Sequence, residues 1–263
     1  MRKLLYWAAA FALTLTTAFA QQAYDIRLNL NPPIKVPLRQ TMKQEQLISF
    51  SGQEMKVSNT VRSEFVFSVT EKKGDNYMIS AIINKIEGEG ESMGQTFKMS
   101  SEDATETEQN KELKKITHKV VQAEVTPYFE LVGEPVAVTE GTDAATAKQV
   151  INTFTGVMSG MYHAAVKKGE SWTVTEEEAH TTTTYTLTDV TEGSFLITSK
   201  VKLEGEFQGV AMSGEGNLNV ELDRATGVPI YGLMTLPLAG SMMAQGTMVN
   251  VKADSTTSFE LAQ

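Results

Sequence analysis

A chain of 263 residues without a single cysteine has no disulfide framework and no thiol for a zinc cluster or a lipid anchor. Its formal charge of −9, from 32 acidic against 23 basic side chains, argues against DNA, RNA or anionic lipid head groups as partners, since their binding rests on Lys and Arg neutralising phosphate. Stability must come from core burial alone, and a chain this long buries about 70% or more of its unfolded surface.

The first twenty residues read as a targeting segment. Arg2 and Lys3 form a positive start, Leu4 to Leu15 are nearly all apolar, and Ala18-Phe19-Ala20 has the small-x-small pattern of a signal-peptidase site. The apolar run is too short for a comfortable span of about 20 residues. Residues 1–20 are therefore predicted to be a cleaved signal peptide. The remainder, 21–263, is predicted to be one β-rich domain, soluble in the periplasm or outside the cell, with no lipid or transmembrane anchor.

Tyr24 to Leu30 alternates apolar and polar residues as a half-buried strand does, until Asn31-Pro32-Pro33 ends it. Arg39 to Phe50 is extended, with Met42, Ile48 and Phe50 on one side. Val57 to Val69 comes next, with Val61, Phe65, Phe67 and Val69 sharing a face, and Lys73-Gly74-Asp75 turns the chain into Tyr77 to Ile86. That segment is apolar on both alternating sets, Met78, Ile82, Ile86 and Tyr77, Ile79, Ile83, which predicts a central strand buried on both faces. Glu87 to Glu91 is acidic and glycine-rich. Glu102 to Glu108 has almost nothing apolar and reads as an exposed loop. Ile116 to Val138 is extended again, interrupted by Pro127 and Pro135 as in edge or irregular strands.

The one stretch with helical spacing comes after Val138. Ala147, Val150, Ile151, Phe154, Val157, Met158, Met161, Tyr162, Ala165 and Val166 recur at intervals of three and four. This predicts one amphipathic helix of about six turns over 142–168, capped by Thr142 or Asp143, with Lys167 and Lys168 at its negative end and Gly169 stopping it. Its broad face, with Gly156, Gly160 and two methionines, either plugs a curved sheet or lines an apolar cavity. Strand patterning resumes at Glu170 to Val174, Thr181 to Val190, Phe195 to Glu204, Asn217 to Asp223, Val228 to Leu238 and Met248 to Leu261, with Asp223-Arg224-Ala225-Thr226-Gly227 as a compact turn.

The two flanks share a string: strand, glycine turn, strand, Ile/Leu-Glu-Gly-Glu, strand. In the first it runs through Phe65, Gly74 and Ile86-Glu87-Gly88-Glu89; in the second through Tyr185, Gly193 and Leu203-Glu204-Gly205-Glu206. The fold class expected is mainly β: a large curved antiparallel sheet, half-barrel-like, wrapped around one long amphipathic helix, with a two-fold pseudo-repeat made of meanders 21–141 and 169–263.

Reactive constellations are sparse. His118, His163 and His180 stand far apart, with no zinc-ligand spacing; His163 reads as a structural residue near the helix end, held by Glu170. Gly-x-Ser-x-Gly and phosphate-loop motifs are missing. Carboxylates are plentiful, among them Glu87, Glu89, Glu91, Glu176, Glu177, Glu178, Glu204 and Glu206, but in runs beside turns where a solvated surface is the ordinary reading. Trp172 and Tyr231 suit either sugar stacking or a core margin. No cofactor and no metal are assigned.

Lys167, Lys168, Gly169, Glu170 and Trp172, together with Asp223 to Gly227, resemble motifs of a family of exported Gram-negative envelope proteins with no assigned function. Asn31-Pro32-Pro33 stands where that family carries a Lys-Gly-Asp/Glu turn. At the level of fold, the arrangement also looks like the half-barrel carriers of envelope lipoproteins, which implies room for acyl chains. The leading expectation is a non-catalytic envelope protein that binds an apolar or lipid-like group between sheet and helix, at Phe154, Val157, Met158 and Met161. A scaffold with a solid core, meeting an envelope protein partner through a sheet edge or the 102–108 loop, is the alternative. A carboxylate-based glycoside hydrolase is a third.

Overall fold

A computed structural model describes residues 22–50, 52–158, 160–177, 180–207, 210–244 and 247–262; the predicted signal peptide lies outside them. The elements in chain order are β1 (Ala23–Ile26), β2 (Ile34–Phe50), β3 (Gln53–Lys73), β4 (Asn76–Ser92), β5 (Gln95–Ser100), α1 (Glu108–Ile116), β6 (Val121–Val125), β7 (Val136–Ala137), α2 (Ala144–Met158), β8 (His163–Lys167), β9 (Ser171–Glu176), β10 (Thr181–Val190), β11 (Ser194–Phe207), β12 (Val210–Asp223), β13 (Pro229–Ala244) and β14 (Thr247–Leu261). Twelve strands form one antiparallel sheet in the order β7-β6-β4-β3-β2-β14-β13-β12-β11-β10-β9, with β5 beside β4. It is not closed into a barrel. β14 lies against β2 from Val249 with Phe50 to Leu261 with Leu38, so the first and last strands of this sheet in sequence are neighbours in its middle.

Alternation decides which side of each strand is buried. Val36 and Leu38 on β2, Phe65, Phe67 and Val69 on β3, Ile197 on β11, Val220 on β12 and Phe259 on β14 all lie in one core, while their neighbours face outward. A residue buried as fully as Ile79 contributes on the order of 2 kcal/mol through the apolar area it removes from water. β4 departs from simple alternation. Glu64 pairs with Lys85 and Phe65 with Ile83, leaving Asn84 as an extra residue. This bulge reverses the facing of the residues after it, so Ile86 is buried with Tyr77, Ile79 and Ile83. Met78 and Ile82 are only half-buried, and the strand is deep on one face rather than on both.

A second layer covers one half of the core face, the half nearest the β3–β4, β10–β11 and β12–β13 turns. The segment after β1 has no strand partner, yet its backbone groups are satisfied. Leu28 N donates to Pro127 O at 2.7 Å and Asn29 N to Thr226 O at 2.9 Å. The Tyr77 hydroxyl accepts from Leu30 N and donates to Leu28 O, at 3.2 and 3.3 Å. Ile26, Leu28 and Leu30 are buried, as the alternation from Tyr24 predicts, although regular strand ends at Ile26.

The single long helix expected over 142–168 is not the element that forms. α2 has 15 residues and ends at Met158; Gly160 then takes φ +80°, a left-handed conformation that stops a helix. Residues 163–167 become β8, antiparallel to β1. Tyr162 and Val166 are buried there because β8 lies on the core, and apolar residues over so short a run do not distinguish helix from strand. Gly169 is a strand-to-strand turn, its N–H donating to Leu187 O at 2.7 Å, and Lys168 pairs with Asp189 instead of a helix end. The capping expectation holds for Asp143, whose Oδ1 accepts from Thr146 N at 2.7 Å. α2 packs against β4, β6 and β7 at one side of the sheet and against α1.

The exposed loop predicted over 102–108 is present, residues 102–107 being irregular and exposed, and α1 begins at its last residue and fills 109–115, for which the residues give no pattern. The acidic stretch turns at Asp103, whose carboxylate accepts from Thr105 N, and Thr107 caps the helix by accepting from Asn110 N. Asn110 is buried and fully used, accepting from Ser100 N and donating to Thr105 O at 2.9 Å each. With only Leu113 and Ile116 to mark its apolar side, α1 is too polar for periodicity to reveal. The shared string of the two flanks lies inside strands in both cases, on β3–β4 and β10–β11. Beyond that the flanks differ, since β4 is partnered by two short strands, β5 and β6, and β11 by β12 along its whole length.

Candidate functional site: the uncovered core face

The hydrogen bonds that tie the second layer to the sheet fall at its near half. Tyr162 donates to Gly227 O at 3.0 Å, and Trp172 Nε1 donates to Gly160 O at 2.8 Å. The same rows of side chains continue for about eight residues beyond this cover, toward the β2–β3, β4–β5, β11–β12 and β13–β14 hairpins. On β2 the row reads Gln40, Met42, Gln44, Gln46, Ile48, Phe50; on β3 the residues opposite are Ser63, Val61, Asn59, Val57, Met55 and Gln53. Across β14 and β13 it continues through Thr257, Ser255, Ala253 and Val251 and through Met234, Leu236, Leu238 and Gly240. Met42, Met55, Val57, Val61, Leu218, Met234, Leu238 and Val251 are half-buried there, between Val201, Leu203, Leu236, Val249 and Ala253, which their neighbours on the sheet bury.

The register makes the two faces chemically opposite. From residue 40 to 63 the core-face positions carry no charge, and the same holds for the core-face positions of 86–100, 199–220 and 232–257. The outer face carries Arg39, Lys43, Glu45, Lys56, Arg62, Glu89, Lys252 and Asp254. Its ion pairs include Lys56 with Glu45 at 3.0 Å and Arg62 with Glu89 at 3.2 Å. Glu87 and Glu204 also lie outside, beside Lys85 and Lys202.

Two features shape this face. Gly214 and Gly216 sit where a Cβ would come within 2.0 Å of Pro237 O and 2.1 Å of Thr235 O. Such contacts require local bends toward the core side and leave the space to Leu238 and Leu236. The second feature is polar. Asn59 Nδ2 reaches Gln44 Oε1 at 3.5 Å, while Asn59 Oδ1 is buried without a hydrogen-bond partner. Buried acceptors are nearly always paired; this carbonyl has no partner among the described residues and would accept from a hydroxyl or amine once the Asn59 side chain moves to expose it, in a row that also carries Gln40, Gln46, Ser63 and Ser255. The face as a whole is uncharged, its Met, Val and Leu side chains interspersed with amides and hydroxyls, and a site for an apolar ligand combines apolar lining with polar anchors.

Of the four residues expected to line a pocket, Met158 and Met161 are 0% exposed and belong to the packed core. The side chains of Phe154 and Val157 lie outside the described residues. His163 opens β8 rather than ending a helix, its ring 5.3 Å from that of Trp172. Trp172 stacks on Tyr185 at 5.5 Å and is taken up by the core; Tyr231 is exposed on the outer face. Burial holds the Tyr162 hydroxyl far above its ordinary range, and burial with the nearby charge of Glu176 pushes Tyr185 up to about 12. Both are neutral structural groups at ordinary pH. The sequence carried a signal for the far face that periodicity in α2 obscured: Gly88 and Gly90, like Gly214 and Gly216, recur at strand spacing within uncharged rows.

Among solved structures, the chain is similar to one described as "Lipid-protein interactions in lipovitellin", with a TM-score of 0.53 at 9% identity over 88% of this chain. It spans 25% of that much longer chain, and the likeness is one of fold alone. A likeness to the translocator domain of the autotransporter NalP from Neisseria meningitidis, with a TM-score of 0.21 at 7% identity over 88% of this chain and 90% of that one, carries no argument. No curated protein matches the sequence. Residues 139–229 match a family of unknown function, DUF6263, and this span includes both Lys167 to Trp172 and Asp223 to Gly227, so by sequence this part of the chain resembles a family whose function is not known.

Proposed function

We propose that this protein is a non-catalytic binding protein of the cell envelope, exported after cleavage at Ala20, that holds an apolar, lipid-like group against the far half of its core face. The observation that carries the reading is a broad uncharged surface, with Met42, Val57, Val61, Met234 and Leu238 interspersed with Gln, Asn, Ser and Thr, that continues the core-face rows beyond the layer covering them. Left to water, the apolar part of such a surface costs about 25 cal/mol per Å², and an acyl chain or similar group lowers that cost. The sheet curls as a half-barrel around the ligand, and Asn59 and Gln44 supply the polar anchor. A solved structure with a similar fold is described in terms of lipid–protein interactions, which supports the same reading. It moves the contact surface from the α2 face to the sheet itself.

Native mass spectrometry of the gently purified protein, alone and after incubation with palmitate or lysophosphatidylcholine, tests this. The expected result is a ligand-sized adduct, with apparent affinity reduced about fivefold or more in a Met42→Gln, Leu238→Gln variant, because two half-buried apolar contacts are lost. A clean apo mass with no uptake of either probe overturns the reading.

A further inference from the structure

The far ends of the hairpins are apolar too. Phe50 is 44% exposed, Met243 65% and Met248 57%, and β14 lies beside β2, so these three belong to neighbouring hairpins. Phe50 pairs with Val249 on the core face, while Met243 and Met248 face one another across β13 and β14 on the outer face. The adjoining β2–β3 and β13–β14 tips therefore present apolar side chains on both faces, while exposed Glu54, Glu91 and Glu206 stand one residue behind the uncharged tips. Met93, in the β4–β5 turn, is 75% exposed. The segments 50–53, 92–95, 207–210 and 243–248 contain no charged residue, and each holds a Gly and a Gln. The opposite end is built differently, with Lys73, Asp75, Glu192, Asp223 and Arg224 in its turns. Strands β9 and β10 end earlier than β11 and β12 on this side. Thr181 pairs with Leu203, four residues short of Phe207, and His180 lies against Gly205.

We propose that the uncharged tips dock on a neutral lipid surface, with Phe50, Met243 and Met248 entering the head-group boundary. Those side chains and Met93 together expose on the order of 500 Å², below the roughly 800 Å² per partner of a standard protein interface. A tip that is apolar on both faces suits a medium that surrounds it better than a partner that meets one side. The lack of Lys and Arg at the tips, on a chain of formal charge −9, selects zwitterionic over anionic lipid. This surface role does not depend on the ligand reading, although the row Met42, Ile48, Phe50 runs from one surface to the other.

The test is flotation with phosphatidylcholine vesicles, using protein purified as the cell processes it. Wild-type protein is expected to float with the vesicles, and to do so equally at about 0.05 and 0.5 M salt, since no charge pair is being screened. A Met243→Glu, Met248→Glu variant is expected to lose about tenfold or more in partitioning, with unchanged thermal unfolding, and Glu192→Gln at the opposite end to lose nothing. Phe50→Trp should shift its emission to the blue on adding vesicles. The proposal is overturned if wild-type protein does not float or if the double Glu variant floats as well. It is also overturned if light scattering shows the patch joining two copies, a dimer that the double variant abolishes without any vesicle binding. Uptake of palmitate can succeed or fail independently of each of these outcomes.

Discussion

The ring of Phe259 lies across Gly232, its directly opposed partner on β13, so closely that a Cβ on the glycine would come within 2.0 Å of the ring's Cζ. Phe259 is buried in the core and cannot swing away. Gly232→Ala is therefore expected to cost about 2 kcal/mol through overpacking, read from urea unfolding. Adding Phe259→Leu should recover part of it, giving a double variant less destabilised than the sum of the two singles. Gly193→Ala, where a Cβ meets nothing within 4 Å, should stay within about 0.5 kcal/mol of wild type.

Alkaline pH should weaken the fold through Tyr162 and Tyr185. Burial raises both above the ordinary value of 10.0, Tyr185 to about 12. Their contribution is fully present below about pH 10, the unfolded value. It is lost as pH rises further, because the unfolded chain releases protons that the folded one retains. Each buried phenol adds up to about 1.4 kcal/mol per pH unit to that decline. Unfolding free energies measured from pH 8 to 11.5 should fall less steeply in Tyr185→Phe than in wild type; an equal slope would show that Tyr185 ionises freely.

The methionines at the end of α2 and the apolar residues of the far face should separate cleanly in experiment. Met161→Ala removes a fully buried side chain and should cost about 2 to 5 kcal/mol while leaving palmitate uptake unchanged. Val251→Thr, on the half-buried far face, should leave unfolding nearly unchanged and weaken uptake. The reverse pattern would return the ligand to the helix.

Asn110 ties α1 to the end of β5. Asn110→Ala leaves Ser100 N and Thr105 O without their partners, and an unsatisfied buried group costs about 1 to 3 kcal/mol. Hydrogen exchange should speed up at Ser100 and along β5 while β13 and β14 keep their protection. Uniform loss of protection would show that α1 and β5 do not open as a separate unit.

Most strands were legible because a two-residue period survives in the residues themselves. The faces read for Met42, Ile48 and Phe50, and for Val61, Phe65, Phe67 and Val69, are those the sheet adopts, since burial of alternate side chains is a local property of an extended chain. Asp143 was legible as a cap for the same reason: its carboxylate acts on a donor three residues away.

Contacts between distant residues decided the features that lay beyond the sequence. Ile86 changed faces because of one extra residue at Asn84, and β8 became a strand because β1, some 140 residues earlier, offered it an edge. The sequence by itself determined a β-rich, cysteine-free, acidic chain with apolar alternate rows. Only tertiary structure decided which lengths of those rows are covered, because cover comes from segments such as 22–30 and 160–168, whose partners are chosen by long-range packing. The uncovered remainder, the surface on which the proposed function rests, is therefore a property of the assembled sheet and of no single stretch of chain.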